Sequence, residues 1–180
     1  SHALARYASI CQEIDIVPIV EPEVLMDGSH DIKKCFEVTN EMQSTLFEEL
    51  DKLNIVNSGI ILKPNMITPG STCEDKVVAE KIAEFTVRCL ANNIPKDVPG
   101  IAFLSGGQSD QDASNNLSFI NKINDNPWKL TFSYGRALQL EAMKKWQGNN
   151  DNKEEAQKII SKRAYLNSLA ASGNYDLEME

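Results

Sequence analysis

Lys63 closes the stretch Gly59-Ile60-Ile61-Leu62-Lys63-Pro64, where three large apolar residues run into a primary amine and a proline ends the pattern. A short apolar run bounded by breakers predicts a strand covered on both faces. At the carboxyl end of such a strand the lysine stem packs and the amine meets a cavity. A lysine held partly out of water there loses its proton more readily and can attack a carbonyl to form a Schiff base. Alone, the pattern equally fits a lysine that snorkels to solvent. Three further apolar runs also end in polar residues: at Glu21-Pro22-Glu23, at Ser105-Gly106-Gly107 and at Ser133-Tyr134-Gly135-Arg136. A carboxyl next to a Schiff-base lysine can protonate the departing hydroxyl of the carbinolamine, which is the role open to Glu21. Ser105 and Gly106 begin a turn whose N–H groups can approach an anion, with a helix amino terminus directed at the same place. Ser133, Gly135 and Arg136 repeat that arrangement with a guanidinium added, and the pair suggests a phosphorylated substrate. Each exit also has a plainer use. Glu21 and Glu23 can be solvated turn charges, Ser105 a helix cap and Arg136 a surface cation.

These exits need elements to carry them. Strands are predicted near 16–21, 59–63, 100–105 and 129–134. Helices are predicted over 3–14, 31–53, 75–92, 110–123 and 137–146, with a surface helix over 153–171 and an acidic, fraying tail over 172–180. The helix assignments rest on apolar stripes at helical spacing: Leu4, Tyr7, Ala8 and Cys11 in the first, Val78, Ile82, Phe85 and Cys89 in the third. Glu21, Lys63 and Ser105 lie 42 residues apart each time. A strand–helix unit repeating at a fixed period implies parallel strands wound in one direction, in a (β/α) barrel or an open doubly wound sheet. An open sheet usually carries a nucleotide-binding glycine pattern after its first strand, and none follows Glu21, so the barrel is favoured. A TIM barrel needs eight strands in about 250 residues. Residues 1–180 are therefore expected to form the carboxyl-terminal half of one barrel domain, leaving two buried-type strands as open edges.

The bulk numbers narrow the function classes. The 180 residues carry a net charge of −8, which argues against nucleic acid as a partner. No apolar run reaches the roughly 20 residues of a membrane helix, and Arg6 and Glu13 interrupt anything resembling a signal peptide. Cys11, Cys35, Cys73 and Cys89 are widely spaced and read as reduced thiols of a cytosolic protein. With His2 and His30 as the two histidines, a histidine-rich metal site cannot be assembled, and metal-free chemistry is expected.

The segments Val20-Glu21-Pro22-Glu23, Leu62-Lys63-Pro64-Asn65-Met66, Leu104-Ser105-Gly106-Gly107-Gln108-Ser109 and Phe132-Ser133-Tyr134-Gly135-Arg136-Ala137-Leu138 occur in this order. In order and spacing they resemble class I fructose-bisphosphate aldolase, and the resemblance runs from about Leu4 to about Tyr175. It implies an eight-stranded TIM barrel, a cytoplasmic homotetramer and no cofactor. The reaction implied is glycolytic and gluconeogenic: reversible cleavage of fructose 1,6-bisphosphate to dihydroxyacetone phosphate and glyceraldehyde 3-phosphate. Lys63 would form the iminium, Glu21 would handle protons, and Glu23 would give polar support. Ser105, Gly106, Ser133, Gly135 and Arg136 would hold the phosphate of the dihydroxyacetone portion. The family's aspartate for C–C cleavage, its second active-site lysine and its carboxyl-terminal tyrosine have no counterpart here, so the chain alone is expected to be an inactive partial barrel. Met26 stands where many relatives have proline, and little consequence is expected from that. The alternative implied by the resemblance is a non-catalytic scaffold for actin or other cytoskeletal partners.

Overall fold

Apolar runs too short for helices, each followed by an amphipathic helix, produce a parallel sheet, because parallel neighbours require a long crossover. The computed structural model describes residues 1–180. Its strands are β1 (Ile19–Val20), β2 (Ile61–Leu62), β3 (Gly100–Phe103) and β4 (Lys129–Phe132). They are all parallel and lie in chain order. The helices are α1 (His2–Glu13), α2 (Ile32–Lys52), α3 (Ala79–Asn93), α4 (Asp110–Ile123), α5 (Arg136–Trp146) and α6 (Lys153–Ala170). A doubly wound sheet reverses its strand order at a switch point; here the order never reverses. The fold is α/β, with four strand–helix units of a (β/α) barrel.

The fixed period does not extend to the sheet register. Ile19 pairs with Ile61, 42 residues on, but Ile61 pairs with Gly100 and Gly100 with Lys129, steps of only 39 and 29. The repeat of 42 belongs to the polar exits, not to the paired positions. Val20, Leu62 and Ile101 are therefore level across the sheet, and Ser105 stands further along its strand than Glu21 or Lys63 do along theirs. Closing a sheet into a barrel demands such a stagger.

Helix starts follow local chemistry. Asp31 caps α2, accepting the Lys34 N–H at 2.8 Å, and Ser109 caps α4, accepting the Asp112 N–H at 3.0 Å. The third helix begins at Ala79, not near 75, and Val78 is exposed rather than part of the apolar stripe. In α1 the buried residues are Ala5 and Ala8, while Tyr7 points outward. The buried face of α2 includes two polar residues, Thr39 and Gln43. Gln43 Oε1 accepts from the thiol of Cys89 on α3 at 3.5 Å, so that polar contact is closed inside the layer between the two helices.

Three expectations need correction. The first strand is not covered on both faces: Ile16, Val17 and Ile19 are each at least half exposed, because β1 is an edge with nothing packed outside it. The last helix is more than a surface helix, since Ala156, Leu166, Asn167 and Ala170 are buried, and Asn167 accepts from Ser114 of α4 at 2.8 Å. The tail does not fray either. Tyr175 is buried and its hydroxyl donates to Glu180 at 2.6 Å, while Arg163 of α6 grips both Glu180 oxygens at 2.7 Å and reaches Asp110 at 2.8 Å.

Candidate active site

The backbone ladder sets the first contact. Lys63 N–H donates to Val20 O at 2.8 Å, placing the residue after β2 beside the residue after β1. Both side chains project from strand ends, and Lys63 Nζ meets Glu21 Oε1 at 2.9 Å. The lysine side chain is 19% exposed and the glutamate 44%, so the amine is mostly enclosed while the carboxylate keeps access to water. Glu23 is exposed and makes no hydrogen bond or ion pair to Lys63. Pro22, between the two glutamates, is buried.

Beyond Lys63 the chain stays inside the protein. Asn65, Met66, Ile67 and Thr68 are all buried. Asn65 Oδ1 accepts the Val24 N–H at 3.0 Å, and its Nδ2 donates to Thr39 Oγ1 at 3.2 Å and to Met66 O at 3.1 Å. One turn further, Ile67 N–H donates to Thr86 Oγ1 of α3 at 3.0 Å. Sequence reasoning missed Asn65 and Thr39. The signal for Thr39 was available, a polar residue on the buried face of α2 that needs a partner.

The next two exits extend the same row. Leu104 N–H donates to Pro64 O at 3.1 Å and Ser133 N–H to Phe103 O at 2.8 Å. Ser105 is buried, and its carbonyl accepts from the backbone and the side chain of Gln108 at 3.0 and 2.9 Å. Gly106 and Gly107 have φ of +56° and +80°, the left-handed region that glycine enters without strain. Met26 Sδ lies 3.1 Å from where a Cβ on Gly107 would begin. The loop after β1 therefore crosses to the β3 turn, where Met26 packs against Gly107. Gly135 precedes α5 with no side-chain cap, leaving the N–H groups of Arg136 and Ala137 free, while Leu138 N–H donates to Gly135 O at 3.1 Å. Arg136 is exposed, makes no ion pair, and lines a cavity of about 790 Å³ whose other charged walls are Lys144, Lys162, Arg163, Asp110, Glu141 and Glu180. The structure thus brings Lys63 and Glu21 into contact. It places Ser105, Gly106, Ser133, Gly135 and Arg136 at the two following exits, with no hydrogen bond to Lys63. No three His, Cys, Asp or Glu side chains converge as metal ligands.

The family profile described as "Fructose-bisphosphate aldolase class-I" matches residues 1–180. The chain belongs to this family. It is 50% identical to fructose-bisphosphate aldolase C of Pan troglodytes over 98% of this chain and 49% of that protein. Identity to the cytosolic fructose-bisphosphate aldolase 4 of Arabidopsis thaliana is also 50%, over 97% of this chain and 45% of the relative. Among solved structures, it superposes on the aldolase of Plasmodium falciparum, crystallised with TRAP and a small-molecule inhibitor. The TM-score is 0.94 at 47% identity, covering 97% of this chain and 50% of that one. This aldolase chain spans about half the length of the relatives it matches, as the carboxyl-terminal half of the barrel.

Proposed function

We propose that this chain carries the Schiff-base half of an aldolase that cleaves fructose 1,6-bisphosphate to dihydroxyacetone phosphate and glyceraldehyde 3-phosphate. The observation that carries the reading is the 2.9 Å contact of Lys63 Nζ with Glu21 Oε1 at the carboxyl ends of neighbouring parallel strands. Glu21 takes a proton from the lysine, and the neutral amine attacks the ketone carbon. The C–N bond forms, and a proton passes from the nitrogen to the alkoxide oxygen to give a neutral carbinolamine. Glu21 then returns its proton to that hydroxyl, water leaves, and the nitrogen lone pair closes the iminium. When the sugar is cut, the bond between the α and β carbons breaks, its electron pair forms the enamine with the iminium, and the β-hydroxyl loses its proton as it becomes the aldehyde. Glu23 would support the site electrostatically from the same turn. Ser105, Gly106, Ser133, Gly135 and Arg136 would hold the ketose phosphate through glycine-turn N–H groups, uncapped α5 N–H groups and the unpaired guanidinium. The second phosphate and the residue that assists C–C cleavage would come from the other half of the barrel. A cytoplasmic homotetramer is the assembly in keeping with this family. In the full-length protein, dihydroxyacetone phosphate with borohydride should fix one substrate-sized increment on Lys63, and Lys63→Met should abolish turnover. Trapping on a different lysine would defeat the mechanism. Normal turnover by Lys63→Met would defeat it too, while a wild-type protein without turnover would favour the scaffold role.

A further inference from the structure

Asn65 is the least expected participant at the site, and its geometry gives it a task. The β1 exit is held at two points. Val20 O accepts from Lys63 N–H at 2.8 Å, and Val24 N–H donates to Asn65 Oδ1 at 3.0 Å. Between them lie Glu21, buried Pro22 and Glu23, facing Lys63 and Pro64 across the gap. The two strand exits thus form a closed ring, and the Glu21–Lys63 contact lies inside it. Glu21 has no other polar partner: its side chain is 44% exposed and bonded to Lys63 alone. Asn65 itself is 5% exposed and is fixed from below by Thr39 of α2 and by the Met66 carbonyl. The Met26 carbonyl then accepts Ser71 N–H at 2.6 Å, and Met26 packs over Gly107, so the strap pinned by Asn65 reaches the β3 turn as well.

We infer that Asn65 is a positioning residue for the aldol reaction: by anchoring Val24 it holds Glu21 at proton-transfer distance from Lys63. This rests on the Schiff-base reading. Without the anchor the β1 exit is fixed at one end only, and a misplacement of about 1 Å in a proton-transfer pair slows the step by about 100-fold. The strap meets the β3 turn at Gly107, whereas Ser105, Gly106, Ser133, Gly135 and Arg136 make no hydrogen bond to Asn65, so substrate affinity should be largely spared.

The test uses the full-length protein and single-turnover borohydride trapping of dihydroxyacetone phosphate, with KM measured alongside. Asn65→Ala removes the acceptor. Val24→Pro removes the donor and leaves Asn65 in place. Thr86→Val removes a buried bond to the Ile67 N–H without touching Asn65 or the strap, and serves as the comparison. Both strap variants should trap about 10- to 100-fold more slowly, with KM within about threefold of wild type. Thr86→Val should trap at the wild-type rate. If Asn65→Ala fails to fold, Val24→Pro alone decides. Wild-type trapping rates in Val24→Pro, or the same loss in Thr86→Val, would overturn the assignment. A wild-type protein that traps nothing on Lys63 would instead overturn the Schiff-base reading beneath it.

Discussion

At the scale of single residues, Arg136 has an available charge that no neighbour consumes. It is the first residue of an uncapped helix and forms no ion pair, and such a guanidinium can form paired hydrogen bonds to a phosphate. Arg136→Ala in the full-length protein should weaken binding of a phosphorylated ketose by about 10- to 100-fold, since such a contact contributes about 1.5–3 kcal/mol. Binding of the unphosphorylated ketose should be unchanged. Calorimetry on both ligands checks this, and equal losses would make Arg136 a structural residue. Much of this scale was legible in the sequence. A lysine, a carboxylate and glycine turns at strand ends announce themselves by type and position. Asn65 did not, because an asparagine two residues past a strand reads as loop until its partners Val24 and Thr39, 41 and 26 residues away, are known. Met26 was invisible for the same reason, since its contact is Gly107 on a different turn.

At the scale of elements, the carboxyl-terminal tail is a latch rather than a loose end. Arg163 joins Glu180 to Asp110, tying the tail, α6 and the start of α4 into one unit. Burial raises the Glu180 pKa, but the hydrogen bonds from Arg163 and Tyr175 outweigh it and hold that pKa below the ordinary value. A carboxylate so lowered stabilises fully above its unfolded pKa of about 4.3. The stabilisation is lost as pH falls through the lower native value. The protection of amides over residues 172–180, taken relative to the intrinsic exchange rate at each pH, should therefore hold from neutral pH to about 5 and fall under stronger acid. Arg163→Ala should give the fast exchange already at neutral pH and cost about 1.5–3 kcal/mol in unfolding free energy. Slow tail exchange in that variant would show that Tyr175 burial alone docks the segment. The six helices were readable because apolar periodicity over ten or more residues is a strong signal. The tail was not, because its composition is acidic and its anchor sits on another element.

At the scale of the whole molecule, the open sides of the sheet decide what this half can do alone. Ile19 of β1 and Ile16 and Val17 just before it are exposed, and β4 is the other edge. Sequence patterning reads such strands as buried because it records the surroundings they evolved to occupy, and those are not all contributed by residues 1–180. The isolated 180-residue chain should consequently trap little substrate and aggregate in light scattering, whereas the full-length protein should trap substrate and hold one discrete size. Full trapping by the monomeric half would show that it is a complete catalytic unit. Chelation by EDTA should leave turnover of the full-length protein intact, because the lysine iminium proposed here supplies the electron sink that a metal would otherwise provide. Activity lost to EDTA and restored by zinc would assign the chemistry to a metal. Finally, the sulfurs between α2 and α3 offer a clock for the molecule's excursions from the native state. Cys89 is 1% exposed, and burial pushes its pKa to about 12, so about one thiol in a hundred thousand is ionised at neutral pH. Cys35 is almost as enclosed, and burial raises its pKa too, whereas Cys11 and Cys73 are partly accessible. A thiol-specific alkylating reagent should therefore consume the accessible pair at once. The remaining two should react at a rate independent of reagent concentration when reagent is abundant, and that plateau measures how often the two helices part.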